Sequence, residues 1–317
     1  MILIPKDALV GAIEAGGTKF VVAVGNGPGN GILAKTSFPT GDNPIQLLSE
    51  ITAWLNQQQS KFGKLQAIGI ASFGPVDLNE NSPTYGYITS TPKTSWKNTN
   101  LVGHFKQAFP GVPIGFDTDV NGAALGEYTW GNGVGFSDFV YVTIGTGIGA
   151  GGITGGQMIH GLIHPEMGHI FIPREPGDDF PGVCPYHGDC WEGLCSGPSM
   201  RKRSGMPPEN LPPDHPAWAL EAKYIAFAVA NIACILSPKR VIIGGSVRKA
   251  GQLGEERFFQ LIREKVRAVL NGYIASELLE EKIDGYIVPP LLGDDAGICG
   301  AITLGQRIIL FKCNSSA

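Results

Sequence analysis

The chain has no excess of basic residues, no P-loop and only six cysteines in 317 residues, and each shortage narrows the choice of function. Lys and Arg number 24 against 28 Asp and Glu, for a formal charge of −4. No basic stripe stands out, so nucleic acid is not an expected partner. No G-x4-G-K-[ST] phrase occurs, which argues against a P-loop kinase. The opening Met1-Ile-Leu-Ile-Pro-Lys-Asp7 has too short an apolar run for a secretory segment, and no later stretch reads as about 18 apolar residues. A cytoplasmic protein without membrane association is therefore expected. Few cysteines and no secretory segment fit a reducing compartment, where disulfides are uncommon.

Glycine is the opposite case, with 45 residues, about twice the usual share. The glycines cluster at the ends of apolar runs, as expected where backbone must approach a ligand. With 43% hydrophobic residues the chain can build a large core, in two domains of ordinary size. Alternating apolar residues predict a strand at 10–14, a tight turn at Ala15-Gly16-Gly17-Thr18 and a returning strand at 19–24. A strand at 31–39, a helix at 43–59 and strands at 67–72 and 112–117 follow, then a helix that starts at Thr118 or Asp119. The second half repeats this outline: a strand at 138–144, the turn Gly145-Thr146-Gly147-Ile148-Gly149, and a return at 150–153. After it come helices at 216–236 and 255–270, strands at 240–243 and 284–288, and a last helix at 296–310. This alternation predicts an α/β protein with two β-rich halves.

The two glycine turns suit phosphate. Successive exposed N–H groups form an anion nest, and the absent side chains let phosphate oxygens come close. Thr18 and Thr146 add hydroxyls at matching places. The competing reading is a plain hairpin connection. Gly145-Thr-Gly147-Ile-Gly149-Ala150 also satisfies a dinucleotide fingerprint, but that motif needs a helix to begin at the glycines, and Gly151-Gly152-Ile153-Thr154-Gly155-Gly156 is a poor helix start.

A second cluster points to a metal. His164, Glu166, His169, Cys184, His187, Cys190 and Glu192 fall within 29 residues, and Cys184-x2-His187-x2-Cys190 places three soft or borderline ligands in one short loop. His169, in the phrase Pro165-Glu166-Met167-Gly168-His169, is the candidate for the fourth position of a zinc site. A Cys184–Cys190 disulfide is the alternative. Cys195, Cys234, Cys299 and Cys313 have no ligand spacing, and Cys234 and Cys299 read as small buried hydrophobes.

Taken in order, Glu14-Ala-Gly-Gly-Thr-Lys19, Gly74-Pro75-Val76, Thr118-Asp119-Val120-Asn121-Gly-Ala-Ala-Leu-Gly-Glu127, Gly145-Thr-Gly-Ile-Gly149, Glu166-Met-Gly-His169, the Cys184/His187/Cys190 cluster with Glu192, and Gly244-Gly245-Ser246 resemble the ROK sugar kinases, and among them the bacterial fructokinases. The resemblance runs from about residue 10 to 305. It implies the two-domain actin-like, Hsp70-like ATPase fold of the ribonuclease H-like class, with a zinc-binding loop. The domains it implies are 1–117, completed by a C-terminal helix at about 295–317, and 118–294. The implied reaction is transfer of the ATP γ-phosphate to fructose, giving fructose 6-phosphate, with Asp119 as general base and Mg2+ accompanying ATP.

By the same resemblance, Gly16, Gly17, Thr18, Lys19, Gly145, Thr146, Gly147, Gly244, Gly245 and Ser246 bind ATP. Gly74, Pro75, Asp119, Glu166, His169 and Glu192 bind the sugar, and Asn121 either joins them or orients its loop. Glu14 stands where much of the wider family has aspartate, and a contact with Mg2+ through its water shell is implied. His169, Cys184, His187 and Cys190 hold a structural zinc. His187 replaces a thiolate of the wider family's pattern, as in the fructokinase branch. A homodimer is implied.

Other readings are kept beside this one. A kinase of the same fold for glucose, mannose or an amino sugar needs no different motif. A sugar-responsive regulator would carry a helix-turn-helix ahead of the first hairpin, which begins near residue 10, and a non-catalytic zinc-stabilised sugar-binding protein would not need Asp119 or both phosphate turns. Glu127 reads as a structural helix residue, Asp77 as a turn former, and at least one of Asp294 and Asp295 as a helix cap. Trp96, Trp130 and Trp218 read as core or interface.

Overall fold

The computed structural model describes residues 8–315, with side chains to residue 311. Met1–Asp7 and the side chain of Cys313 lie outside the described residues. The chain divides into two compact units. One comprises Met1–Val134, Met158–His164 and Leu291–Ala317, the other Gly135–Gln157 and Pro165–Pro290.

The first unit opens with a meander of β1 (Val10–Ala15), β2 (Lys19–Gly25) and β3 (Ile32–Pro39), antiparallel throughout, with Ile13 opposite Val22. Helix α1 (Pro44–Phe62) starts where the Asn43 side chain accepts the Gln46 N–H at 3.2 Å, with Pro44 at its first position. It buries Leu47, Leu48, Ile51 and Leu55 along one stripe. The fully buried β4 (Ala67–Ser72) runs parallel to β1. A small ribbon of β5 (Tyr87–Ile88) and β6 (Thr99–Asn100) leads into α2 (Leu101–Ala108), capped by Asn100. Then β7 (Ile114–Thr118) joins β4 in parallel and hands the chain directly to α3 (Asp119–Trp130). The sheet order is β3-β2-β1-β4-β7, which leaves β7 at an edge.

The second unit repeats this plan. Strands β8 (Phe139–Ile144) and β9 (Ile148–Thr154) form the glycine hairpin, and β10 (Gln157–Met158) follows. Short helices α4 (Trp191–Cys195) and α5 (Gly197–Ser204) precede α6 (Pro216–Leu236), β11 (Val241–Gly244), α7 (Glu255–Leu270), α8 (Ile283–Tyr286) and β12 (Ile287–Val288). The order β10-β9-β8-β11-β12 has β11 parallel to both β8 and β12, as β4 is to β1 and β7. The strand expected over 284–288 is mostly α8, and only its last two residues pair.

Helix α9 (Ala296–Ser315) returns to the first unit, against α3, β4 and β1. Its glycines cost helix propensity but allow backbone contact: a Cβ on Gly300 would overlap the Gly122 carbonyl of α3. This packing places α3 in the first unit, whereas the boundary expected from the sequence fell after residue 117.

Pro216–Leu236 is long and apolar enough to cross a membrane by length and composition, because its few polar residues interrupt the apolar run without lowering its average much. It lies in the core of the second unit, where Trp218, Ala222, Ile225, Ala226 and Val229 are buried. Cys234, near the end of this helix, is exposed rather than buried. The helix is apolar nearly all round, so periodicity does not reveal its outer face.

Candidate active site and metal centre

The acidic site of the first unit is built where two parallel strands end. Thr118 closes β7 and caps α3, its Oγ1 accepting the Asn121 N–H at 3.1 Å. The next residue, Asp119, therefore sits on the first turn of the helix, with its Oδ1 accepting the Val120 N–H at 2.9 Å. Burial raises its pKa to about 6, a larger effect than the opposing backbone hydrogen bonds. On β1, Glu14 is raised to about 7, by burial first and by the Asp119 charge second, with Lys19 opposing. Its Oε2 is buried without a hydrogen-bond partner. A Cβ on Gly297, in the first turn of α9, would collide with the same carboxyl group. Two desolvated carboxylates, one with an orphaned oxygen, suit a hydrated cation that replaces the lost solvation.

Asp117, which no sequence motif singled out, organises the turn. Its Oδ1 accepts the Thr118 N–H at 2.8 Å and the Asn121 Nδ2–H at 2.7 Å, and its Oδ2 lies 2.8 Å from His160 Nε2. Asn121 is buried by these bonds, with its Oδ1 left unpartnered. The Gly74-Pro75 segment is held by two partners: Val76 N–H donates to His164 Nε2 at 3.2 Å, and Thr89 donates through N and Oγ1 to the Pro75 carbonyl. His164 is thus a buried partner of this loop and no member of the metal cluster.

The first glycine turn is stapled by Gly16 N–H to Lys19 O at 3.0 Å and by Thr40, whose Oγ1 donates to Gly16 O and whose N–H donates to Thr18 O. Gly17, Thr18 and Lys19 are exposed, and nothing of the protein lies within 4 Å of a Cβ placed on Gly17. The space above this turn is open to a ligand.

In the second unit, Gly145, Thr146 and Gly147 form the matching turn, closed by Gly145 N–H to Gly147 O at 2.9 Å. Register places Gly244 of β11 beside Thr143 of β8, so Gly244, Gly245 and Ser246 come up next to that turn. A Cβ on Gly145 would be 3.6 Å from Ser246 Oγ. Gly245 has φ +85°, and a side chain there would strike the Ile144 backbone, so glycine is required. Gly197 N–H donates to Gly145 O at 2.8 Å, which adds the start of α5 to the group. That partner was not anticipated, since a backbone contact across 52 residues leaves no side-chain signature. Glu192, on α4, accepts the Ile148 N–H at 2.9 Å through Oε2. Its Oε1 is left for another donor.

The metal cluster assembles as the spacing implied. Cys184 and Gly188 exchange two backbone hydrogen bonds, folding the loop so that His187 turns back on Cys184, while Cys190 immediately precedes α4 and His169 ends a short 3-10 turn. The ligand atoms of His169, Cys184, His187 and Cys190 all lie within 4.8 Å of one another. Both cysteines are free thiols. His169 Nδ1 is 3.4 Å from Cys190 Sγ and 3.7 Å from Cys184 Sγ, and His187 Nδ1 is 3.6 Å from Cys184 Sγ. A tetrahedral zinc with its usual bond lengths would set each N···S edge at about 3.5 Å. The residues present therefore fit such an ion. Glu166, one of the acids in the motif, is exposed in the same unit and outside this group.

The sequence profile of the ROK family matches residues 10–308. The chain belongs to the ROK family. This ROK protein is 45% identical over 301 residues to a protein of Bacillus subtilis (strain 168), covering 95% of this chain and 96% of that one. It is 42% identical over 303 residues to the fructokinase of Pediococcus pentosaceus, covering 95% and 99%. Among solved structures it resembles a ROK family glucokinase from Streptomyces griseus, in complex with glucose and AMPPNP, with a TM-score of 0.73 and 24% identity over 95% of this chain and 100% of that one. The actin-like α/β fold expected from the sequence is the fold of the ROK sugar kinases.

Proposed function

We propose that this ROK protein is an ATP-dependent fructokinase that transfers the γ-phosphate of ATP to the 6-hydroxyl of D-fructose. The observation that carries the choice of fructose is the near-full-length similarity, at 42% identity, to a protein named fructokinase. In this reading Asp119 accepts the proton of the attacking hydroxyl. Its carboxylate is held by the helix turn and raised to about 6, so it is ionised at neutral pH and more basic than an exposed aspartate.

Gly16, Gly17, Thr18 and Lys19 would take phosphate oxygens of ATP from the first unit, and Gly145, Thr146, Gly147, Gly244, Gly245 and Ser246 would serve ATP from the second. Mg2+ bound with ATP offsets phosphate charge, and Glu14 would accept hydrogen bonds from its waters. The sugar would be held by Gly74, Pro75, Asn121, Glu166, His169 and Glu192.

Two of these assignments gain chemical definition. With Nδ1 of His169 turned to the two sulfurs, a metal there leaves Nε2 protonated, fit to donate to a sugar hydroxyl. With Oε2 of Glu192 on the Ile148 N–H, Oε1 remains to accept from one. Zinc at the Cys/His cluster would then act structurally, fixing the loop that carries His169 and Cys190. ADP release from Mg-ATP with fructose, glucose, mannose and N-acetylmannosamine, against an Asp119→Asn background, tests the proposal. Preference for fructose is expected; preference for another hexose would overturn the substrate, and turnover by Asp119→Asn would remove the base.

A further inference from the structure

We propose that His160 is a positioning residue for Asp119, acting through the buried carboxylate of Asp117. This rests on the reading of Asp119 as the base, but its structural half can be tested separately. Asp117 is 2% exposed and lies at the end of the edge strand β7, two residues before Asp119. One of its oxygens binds both the Thr118 N–H and the Asn121 side chain, and so fixes the first turn of α3 from two sides. The other oxygen faces His160 at 2.8 Å, while Asn121 Nδ2 is farther from the same ring nitrogen at 3.4 Å. His160 comes from a segment 43 residues away and supplies the only ion pair Asp117 makes among the described residues. Any change in that contact is passed to Thr118 and Asn121, which flank Asp119.

Unlike Asp117, the histidine reaches solvent. Its side chain is 41% exposed and lines a cavity of about 520 Å³ beside β7, together with Arg307, Asp77, Glu80 and Tyr85. Asp117 raises the His160 pKa through its hydrogen bond and charge, while burial and Arg307 oppose the rise. Arg307 is itself held below its usual value by burial, against the pull of Asp117. Among these groups Asp117 dominates, so the imidazolium form is favoured and is lost as pH rises through the raised value. A neutral imidazole can still donate one N–H to the Asp117 carboxylate, but the attraction between opposite charges is lost, which weakens the contact.

The test combines kinetics with nuclear magnetic resonance. Replacing His160→Gln keeps a neutral donor, and His160→Phe removes it. Both are expected to lower kcat, about fivefold for Gln and more for Phe, with the sugar KM changed less than twofold. The wild type should lose kcat on the alkaline side as His160 deprotonates, and His160→Gln should lack that inflection. In the wild-type protein the amide signals of Thr118 and Asn121 should move with the His160 titration, and in His160→Gln they should not.

Unchanged kcat in folded variants, or a purely KM effect, would overturn the positioning role. Thr118 and Asn121 amides indifferent to His160 would overturn the link itself. If the protein phosphorylates no sugar, or if Asp119→Asn stays active, the proposed reaction fails while the amide titration still decides the link.

Discussion

Lowering the pH from 7 to 5 should reduce kcat/KM for the sugar at least tenfold. Burial lifts Asp119 to about 6, so about nine-tenths of the protein carries an ionised base at pH 7 and about one-tenth at pH 5. An aspartate at its ordinary value of 3.8 would stay about nine-tenths ionised even at pH 5. Glu14 ionises after Asp119, at about 7, because burial disfavours its charge and the Asp119 charge already present adds to that effect. If its charge is needed for the magnesium water shell, the wild-type profile should be steeper than first order below about pH 6.5. Glu14→Gln should then return the acid limb to a limiting slope of one, breaking near pH 6, at a lower plateau. The assay is direct chromatographic measurement of ADP at saturating magnesium and subsaturating sugar, which avoids coupling enzymes that fail in acid. A wild-type rate constant that stays level down to pH 5 would refute the desolvated base.

The same shift has a cost for stability. An acid whose pKa is raised by folding stabilises the protein fully below its unfolded value, and that contribution is lost as pH rises through about 6. Asp119→Asn should therefore be more stable than wild type at pH 8 by roughly 2 kcal/mol, allowing for partial exposure, with the gap closing below pH 4. Equal urea midpoints at both pH values would contradict this. Glu127, fully buried, accepts N–H groups from Asn132 at 2.6 Å, Leu291 at 3.2 Å and Leu292 at 2.9 Å, so Glu127→Leu strands all of them. A loss of roughly 3–5 kcal/mol in urea unfolding is expected, and a loss under 1 kcal/mol would show that the segments re-pair elsewhere. Elemental analysis should find one zinc per chain. Chelation or Cys190→Ser should lower the melting temperature, with zinc but not magnesium restoring the chelated protein; an unchanged melting temperature after complete metal removal would argue against a structural role.

How much of this could be read from the residues depends on how local each signal is. The glycine hairpins were legible because strand alternation and turn glycines lie within 16 residues in β1–β2 and β8–β9. The Cys/His cluster was legible because three of its members share one seven-residue stretch, Cys184 to Cys190. Glu127 and Asp77 behave as helix and turn residues, Asp77 accepting from Asn79 and Thr84. Trp96 and Trp218 are buried in the cores. Asp295 pairs with Lys35 at 2.7 Å.

The Asp117–His160 pair and the Gly197–Gly145 bond were not legible, because they join residues far apart in sequence and neither carries a spacing rule. The short α8 was misread for a related reason: four residues are too few for a period of 3.6 to declare itself against a strand. Cys234 was misplaced because an almost uniformly apolar helix hides its exposed face.

The most direct measurement is the product itself: 31P and 13C resonance spectra of a reaction of Mg-ATP with D-fructose, run with the wild type and with Asp119→Asn. Fructose 6-phosphate from the wild type alone is the predicted result. A 1-phosphate, or no sugar phosphate from folded, zinc-loaded protein that turns over a different hexose, would contradict the account.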